Sequence, residues 1–230
     1  MRETLQELVA KSVSPVWLAE IYRRIQLCYA EADAHVANYT LLGEPERRNL
    51  LPHLRRGLVE ADARKWAIEC GLHATIENTV PDGHQFTLIK TGNLCLTISK
   101  TATSCSLPDL CVFRKQHSLI NDMLMQQEMF PVTSVPTKDD ELIYAILTHG
   151  PAYNGKDLDF VYLGFPNSDM TAWAEAPVSI LEIQERQARL FQKPADDAPR
   201  QDFQEQQRTV PLKKGIKKKK QDDTGGGEAG

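Results

Sequence analysis

The spacing of apolar residues changes at Gly71, and that one change restricts the chain to folds in which helices come first and a sheet comes after. From Val16 to about Ala37 apolar residues fall at Trp17, Ile21, Ile25, Cys28, Ala32 and Val36, steps of four and three that line one face of a helix. Ser14 as N-cap and Pro15 at the first helical position supply its start. A shorter amphipathic turn is expected over residues 3–11. A second long helix is expected from about Pro52 to Cys70, with Leu54, Leu58, Ala61 and Ile68 on one side and Gly71 as its left-handed terminator. Pro45 and Pro52 are expected to break up the segment before it.

Beyond Gly71 the period is two. Phe86–Thr91, the pair Gly92-Asn93 and Leu94–Ser99 read as a hairpin with a two-residue turn. The register pairs Thr91 with Leu94, Ile89 with Leu96 and Thr87 with Ile98, which collects Ile89, Leu94, Leu96 and Ile98 on one face. Residues 72–80 can add a third strand. Leu110, Phe113, His117, Ile120 and Leu124 lie at helical spacing between Pro108 and about Met125. Two further strands are expected at Glu141–Thr148 and Leu158–Phe165, then a helix over Ser179–Gln192 with Ile180, Ile183 and Phe191 inward and Glu182, Glu185, Arg186 and Arg189 outward. Helices followed by strands interleaved with helices imply an α+β domain with a largely antiparallel sheet. We expect one domain over residues 1–193, helical to residue 71 and sheet-containing from 72.

From Pro194 onward Pro, Asp, Gln, Lys and Gly dominate, the composition of a disordered tail. Net charge is −4 for the chain, and counting the two parts separately gives −5 for the body and +1 for the tail. The body is therefore not a nucleic-acid surface by charge. Lys213, Lys214 and Lys217, Lys218, Lys219 and Lys220 in the tail could contact nucleic acid weakly and without sequence preference. The chain has no apolar run near twenty residues, and its first residues carry no signal-peptide core, so no membrane partner and a cytoplasmic location are expected. Five scattered cysteines without a Cys-x-x-Cys pair suit reduced, largely buried thiols.

Gly150-Pro-Ala-Tyr-Asn-Gly155-Lys156-Asp157 has the glycine and lysine spacing of a phosphate-binding loop, but Asp157 stands where a Mg²⁺-binding hydroxyl belongs. The next residues, Leu158–Phe165, have the composition of a strand, where such a loop needs a helix N-terminus. Residues 149–157 are therefore expected to be a loop between two strands, with no nucleotide bound.

None of the six histidines forms a His-x-x-x-His pair, and Cys70-Gly-Leu-His73 reads as a helix cap, so no metal or cofactor is assigned. His117 falls on an apolar stripe and reads as a core residue. His149 is expected at the end of a strand, facing Asp157 and Asp159 across the connection; if that loop closed, an imidazole and two carboxylates could converge for acid–base or metal-dependent hydrolysis. The nuclease pattern of an acid, then Glu/Asp-x-Lys, is not met, because Thr87-Leu-Ile-Lys90 and Thr97-Ile-Ser-Lys100 offer the lysine without the acid. Arg114 and Asn121, two helical turns apart with Asp122 close by, form a polar stripe able to meet a partner, and Tyr153 offers an aromatic anchor.

The stretch Val112–Asn121, followed by Leu142–Pro151 and Phe160–Pro166, resembles bacterial and prophage proteins encoded beside a small regulator-peptidase partner. The resemblance spans about residues 110–170 and implies one half of a toxin–antitoxin or phage-defence pair, with a protein partner from the neighbouring gene. The expected function is thus macromolecule binding in a bacterial two-gene system, and the alternative is a hydrolase or metal-dependent nuclease built on His149, Asp157 and Asp159.

Overall fold

In the computed structural model the described residues are 5–79, 83–122, 142–153, 155 and 157–191, all within the unit Met1–Lys193. The elements are α1 (Leu5–Ser12), α2 (Pro15–Asn38), α3 (Glu44–Glu69), β1 (His73–Asn78), β2 (Gln85–Thr91), β3 (Leu94–Lys100), α4 (Val112–Ser118), β4 (Ile143–Pro151), β5 (Leu158–Gly164), β6 (Val178–Ser179) and α5 (Ile180–Phe191). The six lysines singled out in the tail, together with Leu124, Met125 and Lys156, lie outside the described residues.

The strands form one sheet in the order β1-β2-β3-β4-β5-β6, antiparallel at every step except β3–β4, which is parallel. This is the α+β, mostly antiparallel architecture that the change of period implies. A parallel neighbour requires the chain to cross the sheet, and α4 lies on that crossing.

The β2–β3 hairpin takes the expected register, with Thr91 opposite Leu94 and Ile89 opposite Leu96 around a turn in which Gly92 has φ +54°. Glycine adopts that left-handed geometry without steric cost. A side chain there would also collide with Ser12, because the hairpin tip sits against the α1–α2 joint. There the Thr91 hydroxyl accepts from Ser14 N–H (3.1 Å) and donates to Ser12 C=O (2.9 Å). The ladder runs as far as Leu88↔Thr97, one pair short of the expected Thr87–Ile98.

Ile89, Leu94, Leu96 and Ile98 do share one face, and with Ala145, Leu147, Val161 and Leu163 they pack against buried residues of α1, α2, α3 and α5 as the main core. The opposite face carries Phe86, Leu88 and Cys95 under Phe113 of α4, and Tyr144 and Ile146 beside Met170. α2 starts as expected: Trp17 N–H donates to the Ser14 hydroxyl and Pro15 occupies the first turn. Gln187 of α5, buried in the core stripe, donates to the carbonyls of Ala10 and Val13, which the α1–α2 break leaves without helical partners.

α3 corrects the expectation from sequence. It begins at Glu44, eight residues before Pro52, with Pro45 in its first turn and Pro52 inside the helix. A proline there forfeits the bond to the carbonyl four residues earlier, and Arg48 is exposed, so water can satisfy that carbonyl. The buried stripe is Arg55, Val59, Ala63 and Ala67, one position on from the expected Leu54 and Leu58, while Ile68 is exposed. Small residues let α3 lie close to α2 and the sheet. Gly71, φ +76°, ends the helix as expected.

Candidate functional site

The polar groups that looked like chemistry gather in two places, one on each face of the sheet. On the helical face, β4 runs through His149 and Gly150 to Pro151, so the expected loop shrinks to residues 152–157. Gly150 is strand, and a β-carbon there would fall 2.4 Å from the Phe160 ring and 2.7 Å from the Thr101 carbonyl. Its lack of a side chain serves close packing. Gly155 (φ +69°) makes the turn, and β5 comes next where a phosphate loop needs a helix.

His149 is inside the strand, opposite Val161 and Lys100, and only 1% exposed. Its Nδ1 lies 2.9 Å from the Tyr29 hydroxyl, with the two rings edge to face. Burial, helped by the nearby Lys100 and Arg55 charges, pushes the imidazole down to about 3, and burial pushes the Tyr29 hydroxyl up to about 12 against the pull of Arg55. Both groups are therefore neutral at ordinary pH. A base of that strength, sealed from solvent, does not serve proton transfer near neutrality.

Asp157 and Asp159 are exposed. Asp159 is the extra residue where the register shifts between Gly150↔Phe160 and Pro151↔Leu158. The expected convergence of His149, Asp157 and Asp159 does not occur, because the strand carries the imidazole inward while the bulge and turn leave the carboxylates in solvent. Among the described residues no group of three His, Cys, Asp or Glu side chains could hold a metal ion.

What His149 joins instead is a polar strut. Arg55, 3% exposed, lies over the Tyr29 ring at 4.5 Å, donates through Nη2 to both carboxylate oxygens of Asp33 (3.0 and 2.8 Å), and donates through Nη1 to the Gly155 carbonyl (2.7 Å). One guanidinium thus links α2, α3 and the β4–β5 loop. The loop backbone is also closed on itself, since Ala152 N–H donates to Asp157 C=O (2.8 Å) and Gly155 N–H to Ala152 C=O (2.7 Å). Tyr153 stands beside these bonded groups at 109% relative exposure. The α2–α3 turn leaves the same end of the body, about 8 Å of helix beyond Asp33, and it carries Leu41 at 99% exposure and Tyr39 at 53%.

On the other face, Asn121 does not meet solvent. It is fully buried in a 3₁₀ turn that continues α4. Its Nδ2 donates to the carbonyls of Tyr144 (2.8 Å) and Pro166 (2.8 Å), and its Oδ1 accepts from Tyr144 N–H (2.9 Å). Ile143 N–H is used by Asn93 on the β3 side, so Tyr144 addresses the β5 side, where pairing starts only at Ile146. The Asn121 amide completes the ladder where β5 has run out.

Arg114 is also committed internally. It is half-buried, donates through Nη1 to Asp109 C=O (2.7 Å) with Cys111 Sγ at 3.3 Å, and donates through Nη2 to Ser99 Oγ (3.0 Å). The expected outward stripe of Arg114 and Asn121 is in fact turned toward the sheet, while Leu110 and Ile120, expected in the core, are exposed. His117, expected in the core, is half-buried and turned toward the sheet, stacked on Tyr144, with its imidazole lowered by burial.

Tyr29, Asp33 and Arg55 were missed by sequence reasoning. The available signal was an arginine in line with Val59, Ala63 and Ala67 at steps of four. Among the described residues no helix is long and apolar enough to cross a membrane. Comparison of the chain with protein-family models, curated proteins and solved structures returned no match.

Proposed function

We propose that this protein works by binding a macromolecular partner, and that the end of the body bearing Tyr153 and Leu41 is the contact surface. The observation that carries this reading is a fully exposed tyrosine on a loop whose backbone is held by two internal bonds and by Arg55. A single exposed aromatic is ordinary. One flanked by backbone groups already bonded in the free protein is different, because fewer groups remain to be ordered on binding. Rigid aromatic anchors carry a disproportionate share of interface energy. The resemblance over about residues 110–170 implies that the partner is the product of the neighbouring gene, in a toxin–antitoxin or phage-defence pair.

The test is co-purification with the neighbouring gene product, scored for Tyr153→Ala and, separately, for toxicity of each protein expressed alone and together. Truncating an anchor costs about 2 kcal/mol or more of binding, so capture should fall by roughly thirtyfold while the melting temperature stays at the parent value. Toxicity or rescue that survives Asp159→Asn supports binding over hydrolysis. Equal capture by Tyr153→Ala and Leu41→Ala variants would place the interface elsewhere.

A further inference from the structure

The edge of the sheet at β1 lies apart from both polar clusters and takes no part in either. β1 pairs with β2 along its full length, His73↔Lys90 to Asn78↔Gln85, and on its other side no strand is present among the described residues. The register tells which backbone groups that edge presents. In a two-residue hairpin the residues flanking the turn exchange both hydrogen bonds. Thr91↔Leu94 is therefore such a pair, so Thr87, Ile89 and Thr91 address β3 while Phe86, Leu88 and Lys90 address β1. Their partners Glu77, Thr75 and His73 use their backbone groups inward. Thr79 N–H donating to His84 C=O (2.8 Å) continues the same alternation. The N–H and C=O groups of Ala74, Ile76 and Asn78 consequently point away from the sheet.

Natural edges are blunted by proline, lysine, a bulge or brevity. β1, His-Ala-Thr-Ile-Glu-Asn, has six residues, no proline, no lysine and an unbroken register, and Ile76 is 47% exposed. The opposite edge, β6, has only two residues.

We propose that β1 pairs antiparallel with β1 of a second copy of this chain, about a two-fold axis through Thr75, joining two six-stranded sheets into one. Two-fold pairing matches residues whose numbers have a constant sum, and because both copies present even-numbered residues outward, that sum must be even. With the axis at Thr75, Ala74 meets Ile76 of the second copy and both exchange backbone hydrogen bonds. The intervening residues also match. His73 stands opposite Glu77 of the second copy, twice by symmetry, and an imidazole N–H can donate to a carboxylate. Ala74 packs on the helical-face core, so its row is the apolar one, and Ile76 is covered by Ala74 of the second copy. Moving the axis to Ile76 sets Thr75 against Glu77 and loses the imidazole–carboxylate pairs. The row is complementary to itself, which selects a second copy over an unrelated extended peptide. A strand this short gives an interface at or below the roughly 1,200 Å² at which stable pairs begin, so the dimer dissociates on dilution.

The full chain should show a concentration-dependent monomer–dimer equilibrium in sedimentation velocity. Ile76→Pro removes an outward N–H and spares the β2 ladder, so it should yield a folded monomer. Thr75 meets its own counterpart in a wide pair, whose Cα atoms lie about 4.5 Å apart, within disulfide range. Thr75→Cys should therefore cross-link to a reducible dimer on mild oxidation above the parent's background from the exposed Cys105, and Ile76→Cys should not. His73→Glu should weaken the dimer about tenfold, through two like-charge pairs, and adding Glu77→Lys should restore it. Tyr153→Ala should leave it unchanged. A parent that stays monomeric at all concentrations overturns the proposal, as does a dimer indifferent to Thr75→Cys and His73→Glu. So does a monomer that captures the neighbouring gene's product through an edge closed by Ile76→Pro. If Ile76→Pro fails to fold, the Thr75→Cys cross-link still decides.

Discussion

Replacing Asn121 by alanine removes one side chain and strands three backbone groups: Tyr144 N–H, Tyr144 C=O and Pro166 C=O. All three sit around a residue that is fully buried. A buried polar group left without a partner costs about 1–3 kcal/mol, so three would cost at least about 3 kcal/mol with no relaxation. Water entering the space left by the amide would recover part of this, and an expected loss of about 3 kcal/mol allows for it. For a domain of this size that is a fall in melting temperature of roughly 10 °C. The assay is guanidinium unfolding followed by tryptophan fluorescence, because Trp173 packs on the same side of the sheet beside Tyr144 and Ile146. Asn121→Asp is the sharper variant. It is nearly isosteric and still accepts from Tyr144 N–H, but it turns a carboxylate oxygen toward two carbonyls. It should be at least as damaging as alanine, and less so at low pH, where the protonated acid regains a donor. If Asn121→Ala unfolds within about 0.5 kcal/mol of the parent, as ordinary surface substitutions do, the amide is not completing the β4 ladder.

The strut carries two further expected outcomes. Arg55→Met keeps the length of the stem and removes the ties to Asp33 and Gly155; breaking a buried pair costs about 3–5 kcal/mol, and because the Asp33 side chain is 33% exposed and can rehydrate, about 2 kcal/mol is expected in denaturant unfolding, with partner capture falling although Tyr153 is intact. His149 is buried neutral with its protonation pushed down to about 3, against an ordinary value of 6.5. The unfolded chain therefore takes up a proton below pH 6.5 that the folded one refuses, so stability is full above pH 6.5 and is lost as pH falls toward 3. The slope from this group is up to about 1.4 kcal/mol per pH unit. His149→Gln should flatten the stability profile between pH 6 and pH 4, and a profile unchanged by that substitution would mean the imidazole is not sealed.

Elements whose cause is local were legible in the sequence. Gly92-Asn93 between alternating runs gave the hairpin and its register, and Ser14-Pro15 gave the start of α2, because turn and cap chemistry is written in adjacent residues. The start of α3 was not, since Pro52 breaks a helix only where the lost hydrogen bond cannot be replaced, and here the carbonyl concerned belongs to the exposed Arg48. The candidate site failed for a related reason. Asn121 looks in sequence like a group seeking a ligand and Arg55 draws no notice there, but each answers backbone carbonyls created elsewhere, at the start of β4 and in the β4–β5 turn, where no strand supplies a partner. Where a sheet runs out is a property of its neighbours, and one sequence read position by position does not contain it. His149 was misread by the same route, because its place inside β4 and the register shift at Gly150/Pro151 that sets Asp159 apart from it are fixed by pairing with β5 and β3. Among the candidate site residues that the structure describes, Tyr153 is the aromatic one left wholly in solvent, between residues whose backbone groups bond within the loop. A tyrosine with its side chain in solvent, on a loop tied through Gly155 to Arg55 and through Ala152 to Asp157, is the place where a partner has something to gain.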